Sequence, residues 1–318
     1  MRDVETIIVG GGPAGSSAAR ELLQAGRDCL VLDRKAMPRL KLCAGWITPK
    51  VLRDLDFTPE DYPHGMDKLD RLKFFFGRRH RFSKVAPTDQ YSIRRIEFDA
   101  WLLKRSGADV VQHTVHEVQR ENGHFVIDDT FRCRHLIGAG GTNCPVKKAC
   151  FAPDPGRLIV TQEVEFETKP LSDTCTLWFP YAGSFGYAWY VPKSGAVNIG
   201  FGGLRSHNKQ WDKSRLWQSF IALLKREGCL QDDPPSPKGY SYYLGGRRKR
   251  VVDDRAYLVG DAAGLATVDL AEGIGPAVES GQLAARQILE TDQYTLEKIS
   301  PYSLPWSYRL FRRAAAWL

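Results

Sequence analysis

The residues best placed to do chemistry stand near the front of the chain. Gly10, Gly12 and Gly15, with Pro13 and Ala14 among them, form a G-x-G-x-x-G motif directly after the apolar run VETIIV (4–9). A β-branched run without alternation predicts a strand buried on both faces. The motif opens a helical pattern, SSAARELLQAG, that closes at Gly26, and a second strand, CLVL, ends in Asp33. Each residue type meets a physical need. Gly10 permits the tight turn, Gly12 lets backbone approach a pyrophosphate, and Gly15 lets the helix pack on the strand. The helix start then offers free N–H groups and a positive dipole to phosphate. Asp33 can accept from ribose hydroxyls. The chemistry is dinucleotide binding, and the motif alone leaves FAD and NAD both open.

A second constellation lies in AYLVGDAAGLATVDLAEGIG (256–275). AYLV reads as a strand with Gly260-Asp261 at its end, and the helix PAVESGQLAARQILE begins near Gly275. In a doubly wound sheet Asp261 then lies outside a carboxyl strand end, where ligands bind. It either accepts from a ribityl hydroxyl or caps the helix. The N–H groups at Gly273, Ile274 and Gly275 suit the electron-rich end of a flavin, where charge develops on reduction.

Together with YSIRRIEFDAWLL (91–103), these segments resemble FAD-dependent oxidoreductases of the aromatic-hydroxylase fold. The resemblance implies FAD as cofactor and Arg95, three residues before Phe98-Asp99, as an FAD contact, with Arg94 as the neighbouring alternative. It adds Arg34, Leu42 and Val115 to the cofactor-lining set. Flavin hydroxylases of this fold carry an Asp-Gly pair where this chain reads Ala139-Gly140-Gly141. In the hydroxylases that acid is tied to both FAD and NADPH. Its absence weakens the reading of an NADPH-driven hydroxylase and leaves FAD binding untouched.

Two further segments narrow the resemblance. LKLCAGWITPK (40–50) is similar to the Cys-Gly loop of the geranylgeranyl reductase family through Lys41, Leu42, Cys43 and Gly45, with Ala44 departing from the commoner glycine. YAWYVPKSGAVNIG (187–200) resembles that family's substrate-site motif through Tyr187, Trp189, Pro192 and Gly200, with Val191 replacing the second aromatic. It is also similar to a flavin-halogenase motif whose first Trp is replaced by Tyr187. The resemblance implies reduction of carbon–carbon double bonds in an apolar or prenyl-type substrate, by hydride transfer from flavin N5. Cys43, Tyr187 and Trp189 become the catalytic candidates. Cys43 reads either as a reactive thiol beside Lys41 or as loop packing. Trp189 reads either as a substrate contact or as core. One rival is a flavin-dependent monooxygenase or halogenase, the latter needing a tunnel lysine such as Lys41 or Lys193. The other is an FAD-binding maturation or scaffold protein acting on a partner protein.

The elements that must position these residues form an α/β fold. A Rossmann-type, doubly wound FAD-binding domain takes residues 1–57, 89–155 and 250–318. An antiparallel-sheet substrate domain, inserted as residues 58–88 and 156–249, carries three strands, TCTLWFP, FGYAWYVP and AVNIGFGG. Period-2 alternation puts Tyr187, Trp189 and Val191 on one face. Asn122-Gly123 marks a hairpin turn within 109–138. No second strand–G-x-G-x-x-G–helix unit is present, and Gly200-Phe-Gly202-Gly203 leads into polar residues. The electron donor is therefore a transiently docked NAD(P)H or an external carrier.

Composition sets the outer bounds. The 318 residues are 43% hydrophobic, which excludes a disordered chain. No apolar run is long enough to span a bilayer, and the N-terminus does not read as a signal peptide. The seven cysteines are scattered without a C-x-x-C, which fits a reducing cytoplasm and argues against disulfides or a metal site. The net charge of +8 is concentrated in three clusters: Arg71 to Lys84, residues 247–250, and a tail mixing Arg309, Arg312 and Arg313 with Trp306, Tyr308, Phe311 and Trp317. The standard nucleic-acid-binding motifs are missing. Basic residues interleaved with aromatics suit peripheral contact with anionic lipid, or else a solvated face and a packed tail helix.

Overall fold

The continuous apolar runs of the sequence form a parallel sheet, and its aromatic runs form a second, mostly antiparallel one. A computed structural model of the chain describes residues 1–77, 82–153, 156–181, 186–208, 211–246, 248 and 250–304. Among the described residues, 1–39, 96–156 and 242–304 make one compact unit. Leu40–Arg95 and Arg157–Ser241 make the other. Residues 40–57 and 89–95, expected with the cofactor domain, thus group with the second unit. The reason is strand pairing: Trp46–Ile47 runs antiparallel to Phe82–Ile93, and Ile93 N donates to Gly45 O at 2.9 Å.

In the first unit the strand order is Val252–Asp253, Ala256–Leu258, Phe131–Gly138, Arg2–Val9, Cys29–Asp33, Asp109–Gln112. From Ala256–Leu258 onward every neighbouring pair is parallel. Ile7, Ile8, Leu30, Val31, Leu136 and Ile137 are fully buried, as a sheet covered on both faces requires. Each such side chain contributes roughly 1.5–3 kcal/mol by burial. The glycine-motif helix, Pro13–Gln24, packs on the late helix, Ile274–Ile288, so closely that a Cβ on Gly281 would fall 2.1 Å from Ala14 O. That contact joins two motifs far apart in the chain. Gly260, at φ +57°, sits where a Cβ would meet Ala14 and Ala277, each at 3.2 Å. The expected hairpin pairs Val118–Glu121 with His124–Ile127 through Asn122 and Gly123, at φ 48° and 78°.

In the second unit the order is Lys238–Leu244, Arg157–Glu167, Ala196–Leu204, Gly186–Lys193, Cys175–Phe179, Met66–Phe76, Phe82–Ile93, Trp46–Ile47. The expected meander of Cys175–Phe179, Gly186–Lys193 and Ala196–Leu204 is antiparallel. One pair departs from the expectation, because Cys175–Phe179 runs parallel to Met66–Phe76. One face of the sheet buries Tyr190, Ile199 and Phe201 together with Phe220, Ile221 and Leu224 of the helix Lys213–Arg226. The other face carries the polar residues discussed below.

The basic clusters are only partly visible. Arg78, Arg79, His80, Arg81, Arg247, Lys249 and the whole tail 305–318, including Arg309, Arg312 and Arg313, lie outside the described residues. Phe74 is buried and Phe75 stacks on Trp178 at 5.7 Å, so these two aromatics belong to the core rather than to an exposed interface. No helix among the described residues is long and apolar enough to cross a membrane.

One half-buried histidine makes the first unit's stability depend on pH. Burial, helped by Arg134 and Arg255, pushes His135 from 6.5 down to about 4. Between those values the unfolded chain binds a proton that the folded chain refuses, so stability is lost as pH falls from 6.5 toward 4. His135→Leu is expected to flatten that part of the urea-midpoint profile. An identical slope in wild type and variant would refute this.

Candidate functional site

The cofactor half of the site is built in the first unit, where a strand end meets a helix start. Gly10 has φ +112°, and a Cβ there would lie 2.4 Å from Ala139 O. A Cβ on Gly15 would lie 1.9 Å from Gly10 O. Both positions demand glycine for the chain's own packing. Gly12 is different: its φ is −78°, and the nearest atom to an added Cβ is Arg39 Nη2 at 3.6 Å. The chain itself leaves room there, which is the open cradle a pyrophosphate needs. The helix that follows has Pro13 in its first turn, no capping side chain and no acid in that turn, so its dipole is left for an anion. The residues therefore fit the diphosphate of FAD.

Asp33 ends its strand beside this loop, accepting from Gly11 N at 2.8 Å and Lys35 N at 3.0 Å. Arg39 lies 3.8 Å from Asp33 Oδ2 and 3.7 Å from Asp99 Oδ2, and it brings positive charge to Gly12. Sequence reasoning passed over Arg39, because a lone Arg in a loop carries no spacing signal. Arg34 is exposed, and Val115 packs half-buried against the first unit's core.

Gly260 and Asp261 follow the strand Ala256–Leu258, with Gly260 N donating to Ser280 Oγ at 2.9 Å. Asp261 Oδ1 lies 3.3 Å from the place a Cβ on Gly273 would take. The expectation that Ile274 and Gly275 present open N–H groups needs correcting. Both donate to Glu272 Oε1, the second at 2.9 Å. Burial pushes the Glu272 carboxyl from 4.5 up to about 7; the two N–H bonds oppose this, and Asp269 and Glu279 reinforce it.

The other candidates belong to the second unit, on the sheet face opposite the Tyr190–Phe201 core. Trp189, Gly200 and Glu163 stand in one register row across three strands. A Cβ on Gly200 would lie 2.5 Å from the Trp189 ring and 2.7 Å from Glu163 Cβ. Gly200 and Gly202 are thus interior strand residues that make room for neighbours. Trp189 Nε1 donates to Asn198 Oδ1 at 2.7 Å. Asn198 Nδ2 donates to Cys43 O at 3.1 Å. Lys193 Nζ reaches the same carbonyl at 3.5 Å and forms an ion pair with Glu165. One amide therefore ties the Trp189 indole to the Cys43 loop. Gly45 closes that loop at φ +69°, its N–H directed to Cys43 Sγ at 3.3 Å. Leu42 is half-buried in the same loop, and Lys41 lies over the Tyr240 ring at 3.4 Å. Tyr187 stacks on Phe179 at 4.7 Å and meets Trp189 at 5.7 Å. Arg94 pairs with Glu165 and Glu167, whereas its neighbour Arg95 is buried.

Glu163 is the residue on this face that sequence reasoning missed. It is 3% exposed, and Thr161 donates to its Oε1 at 3.2 Å. No donor among the described residues reaches Oε2 with hydrogen-bonding geometry. Burial raises its carboxyl above the usual range, outweighing Thr161, Asn198, Lys41 and Lys193, which pull it down. Its only sequence signal was the alternation of Glu163, Glu165 and Glu167, which reads equally well as a solvated strand face.

Comparison with known proteins bears on the family and the fold. The FAD binding domain family matches residues 3–57. An uncharacterised protein of Methanosarcina barkeri is 30% identical over 303 residues, covering 91% of this chain and 75% of its own. The geranylgeranyl diphosphate reductase of Rhodobacter capsulatus is 27% identical over 312 residues, covering 88% and 74%. Among solved structures, a geranylgeranyl bacteriochlorophyll reductase-like protein of Thermoplasma acidophilum superposes with TM-score 0.75 at 20% identity, covering 94% of this chain and 81% of that one. A flavin-dependent brominase superposes with TM-score 0.73 at 16% identity, covering 98% and 83%. The fold is thus the Rossmann-type FAD fold that reductases share with halogenases and monooxygenases. The chain belongs to the geranylgeranyl reductase family of FAD-dependent oxidoreductases.

Proposed function

We propose that this protein reduces carbon–carbon double bonds of an apolar, prenyl-type substrate. FAD would be held by the loop Gly10–Gly15, by Asp33 and Asp261, and by Arg95; when bound it supplies hydride from its reduced N5 position. The observation that carries the reading is the sheet face where Trp189, Asn198, the Cys43 loop and Glu163 are joined. Hydride addition to an isolated double bond leaves the second carbon in need of a proton. Glu163 suits that need, because burial raises its carboxyl above the usual range and so favours the protonated form. Tyr187, Phe179 and Trp189 supply the apolar surface that a prenyl chain requires. Asn198 and Lys193 fix the Cys43 loop, and Cys43 presents its thiol from that loop. The name of the Rhodobacter capsulatus relative supports the substrate class.

The halogenase alternative needs a lysine directed to the oxidant. Lys193 is held by Glu165 and the Cys43 carbonyl, which favours the reductase reading. The electron donor in this reading is NAD(P)H docking transiently or an external carrier. Aerobic turnover under heavy-isotope oxygen separates the two chemistries. A product that gains hydrogen without labelled oxygen is expected, and stoichiometric oxygen incorporation would sink the proposal.

A further inference from the structure

Asp99 is fully buried in the helix Arg95–Ser106 of the first unit. A carboxylate so placed needs a counter-charge. Arg39 supplies one, its Nη1 lying 3.7 Å from Asp99 Oδ2. The other arm of the same guanidinium, Nη2, lies 3.8 Å from Asp33 Oδ2, an oxygen that already accepts from Gly11 N at 2.8 Å. Both separations attract charge without being hydrogen bonds. Among the described residues the Arg39 guanidinium makes no hydrogen bond at all, although its side chain is only 18% exposed. A planar fork of N–H donors is thus held in place by two acids and left with donors to give.

What lies next to that fork is the open glycine. Arg39 Nη2 is the only atom outside the adjoining chain within 4 Å of a Cβ built on Gly12, at 3.6 Å. At Gly10 and Gly15 the same construction runs into backbone carbonyl oxygen instead. The space over Gly12 is therefore bordered by a cation, and the match to the FAD binding domain family runs through residues 3–57, which include the loop, Asp33 and Arg39. Holding both arms of the fork lowers the side-chain entropy that a free arginine loses on binding. A guanidinium suits a diphosphate, whose oxygens it meets two at a time. It also stands between that diphosphate and two buried carboxylates that would otherwise repel it.

We propose that Arg39 clamps the diphosphate of FAD over Gly12, and that Asp99 is the buried post that holds Arg39 ready for it. Asp99 acts through Arg39 and is a positioning residue. The Phe98-Asp99 pair thereby gains a part in cofactor binding separate from that of Arg95. The inference rests on FAD binding and does not depend on which substrate is reduced.

The test is the affinity of the full-length protein for FAD, followed by flavin fluorescence, with ADP as competitor. ADP carries a diphosphate and no flavin. Arg39→Gln is expected to weaken FAD and ADP alike, by about 30-fold or more, with an unchanged urea midpoint. Arg39→Lys should lie between, because an ammonium keeps the charge and lacks the fork. Asp99→Asn should weaken both ligands less than Arg39→Gln does. Affinities equal to wild type in Arg39→Gln would overturn the inference, and so would a loss for FAD with none for ADP. Where Arg39→Gln does not fold, labelling of the wild-type protein with phenylglyoxal decides, read at Arg39 by peptide mass spectrometry. ADP is expected to slow the labelling and adenosine is not; equal labelling under both would overturn the clamp. A wild-type protein that binds neither FAD nor ADP would overturn the cofactor assignment itself, an outcome distinct from these.

Discussion

Gly12→Val is expected to give a folded protein that no longer retains FAD. Three glycines of one loop differ in what requires them. Gly10 and Gly15 are required by the chain's own backbone, since an added Cβ at either falls within 2.4 Å of a carbonyl oxygen. At Gly12 the backbone is in a region any residue adopts, and an added Cβ makes ordinary contact with Arg39 Nη2 at 3.6 Å. The requirement for glycine there comes from the ligand, so a side chain displaces the pyrophosphate without disturbing the fold. Losing charge-assisted hydrogen bonds worth roughly 3 kcal/mol weakens binding about 100-fold. Flavin absorbance of the purified variant and fluorescence titration with FAD measure this, with urea denaturation as the control for folding. A variant that binds FAD as tightly as wild type would mean that the phosphates do not pass over this loop.

The second large effect is expected at Glu163. Glu163→Gln keeps the size and hydrogen-bonding reach of the side chain and removes its proton. If Glu163 supplies the proton to the substrate, the step that consumes reduced flavin slows by about 100-fold or more. Flavin reduction by dithionite and affinity for FAD are expected to be unchanged, because Glu163 is not among the residues placed around the cofactor. Rapid mixing of reduced protein with geranylgeranyl diphosphate follows flavin reoxidation directly. The wild-type rate should fall as pH rises past the Glu163 titration, and the variant should be slow at every pH. An unchanged reoxidation rate would remove Glu163 from the chemistry and leave it as a structural acid beneath Trp189.

The cofactor half of the site was legible in sequence because it is local. Gly10 to Asp33 form one strand–turn–helix–strand unit, and each glycine answers to a neighbour a few residues away. The family motif around Trp189 was legible for the same reason. What escaped depends on contacts that spacing does not encode. Glu163 lies beside Trp189 only because their two strands flank a third in register, with Gly200 between. Asn198 reaches Cys43 across 155 positions of chain. Glu272 stood inside a quoted motif, but its side chain turns back onto the helix start, a local choice that competes with the reading of open N–H groups. The expected boundary after residue 57 failed because Trp46–Ile47 joins the second sheet, and a two-residue strand carries no periodicity.

The central claim is that this flavoprotein transfers hydride to a prenyl double bond. The most direct measurement is a single turnover without oxygen: protein reduced to completion, mixed with geranylgeranyl diphosphate, and the product examined by mass spectrometry. The account predicts reoxidation of the flavin with a product heavier by two hydrogens for each flavin consumed. Flavin that stays reduced with that substrate and with prenylated lipids, yet reoxidises with an oxygenated product once air is admitted, would contradict it.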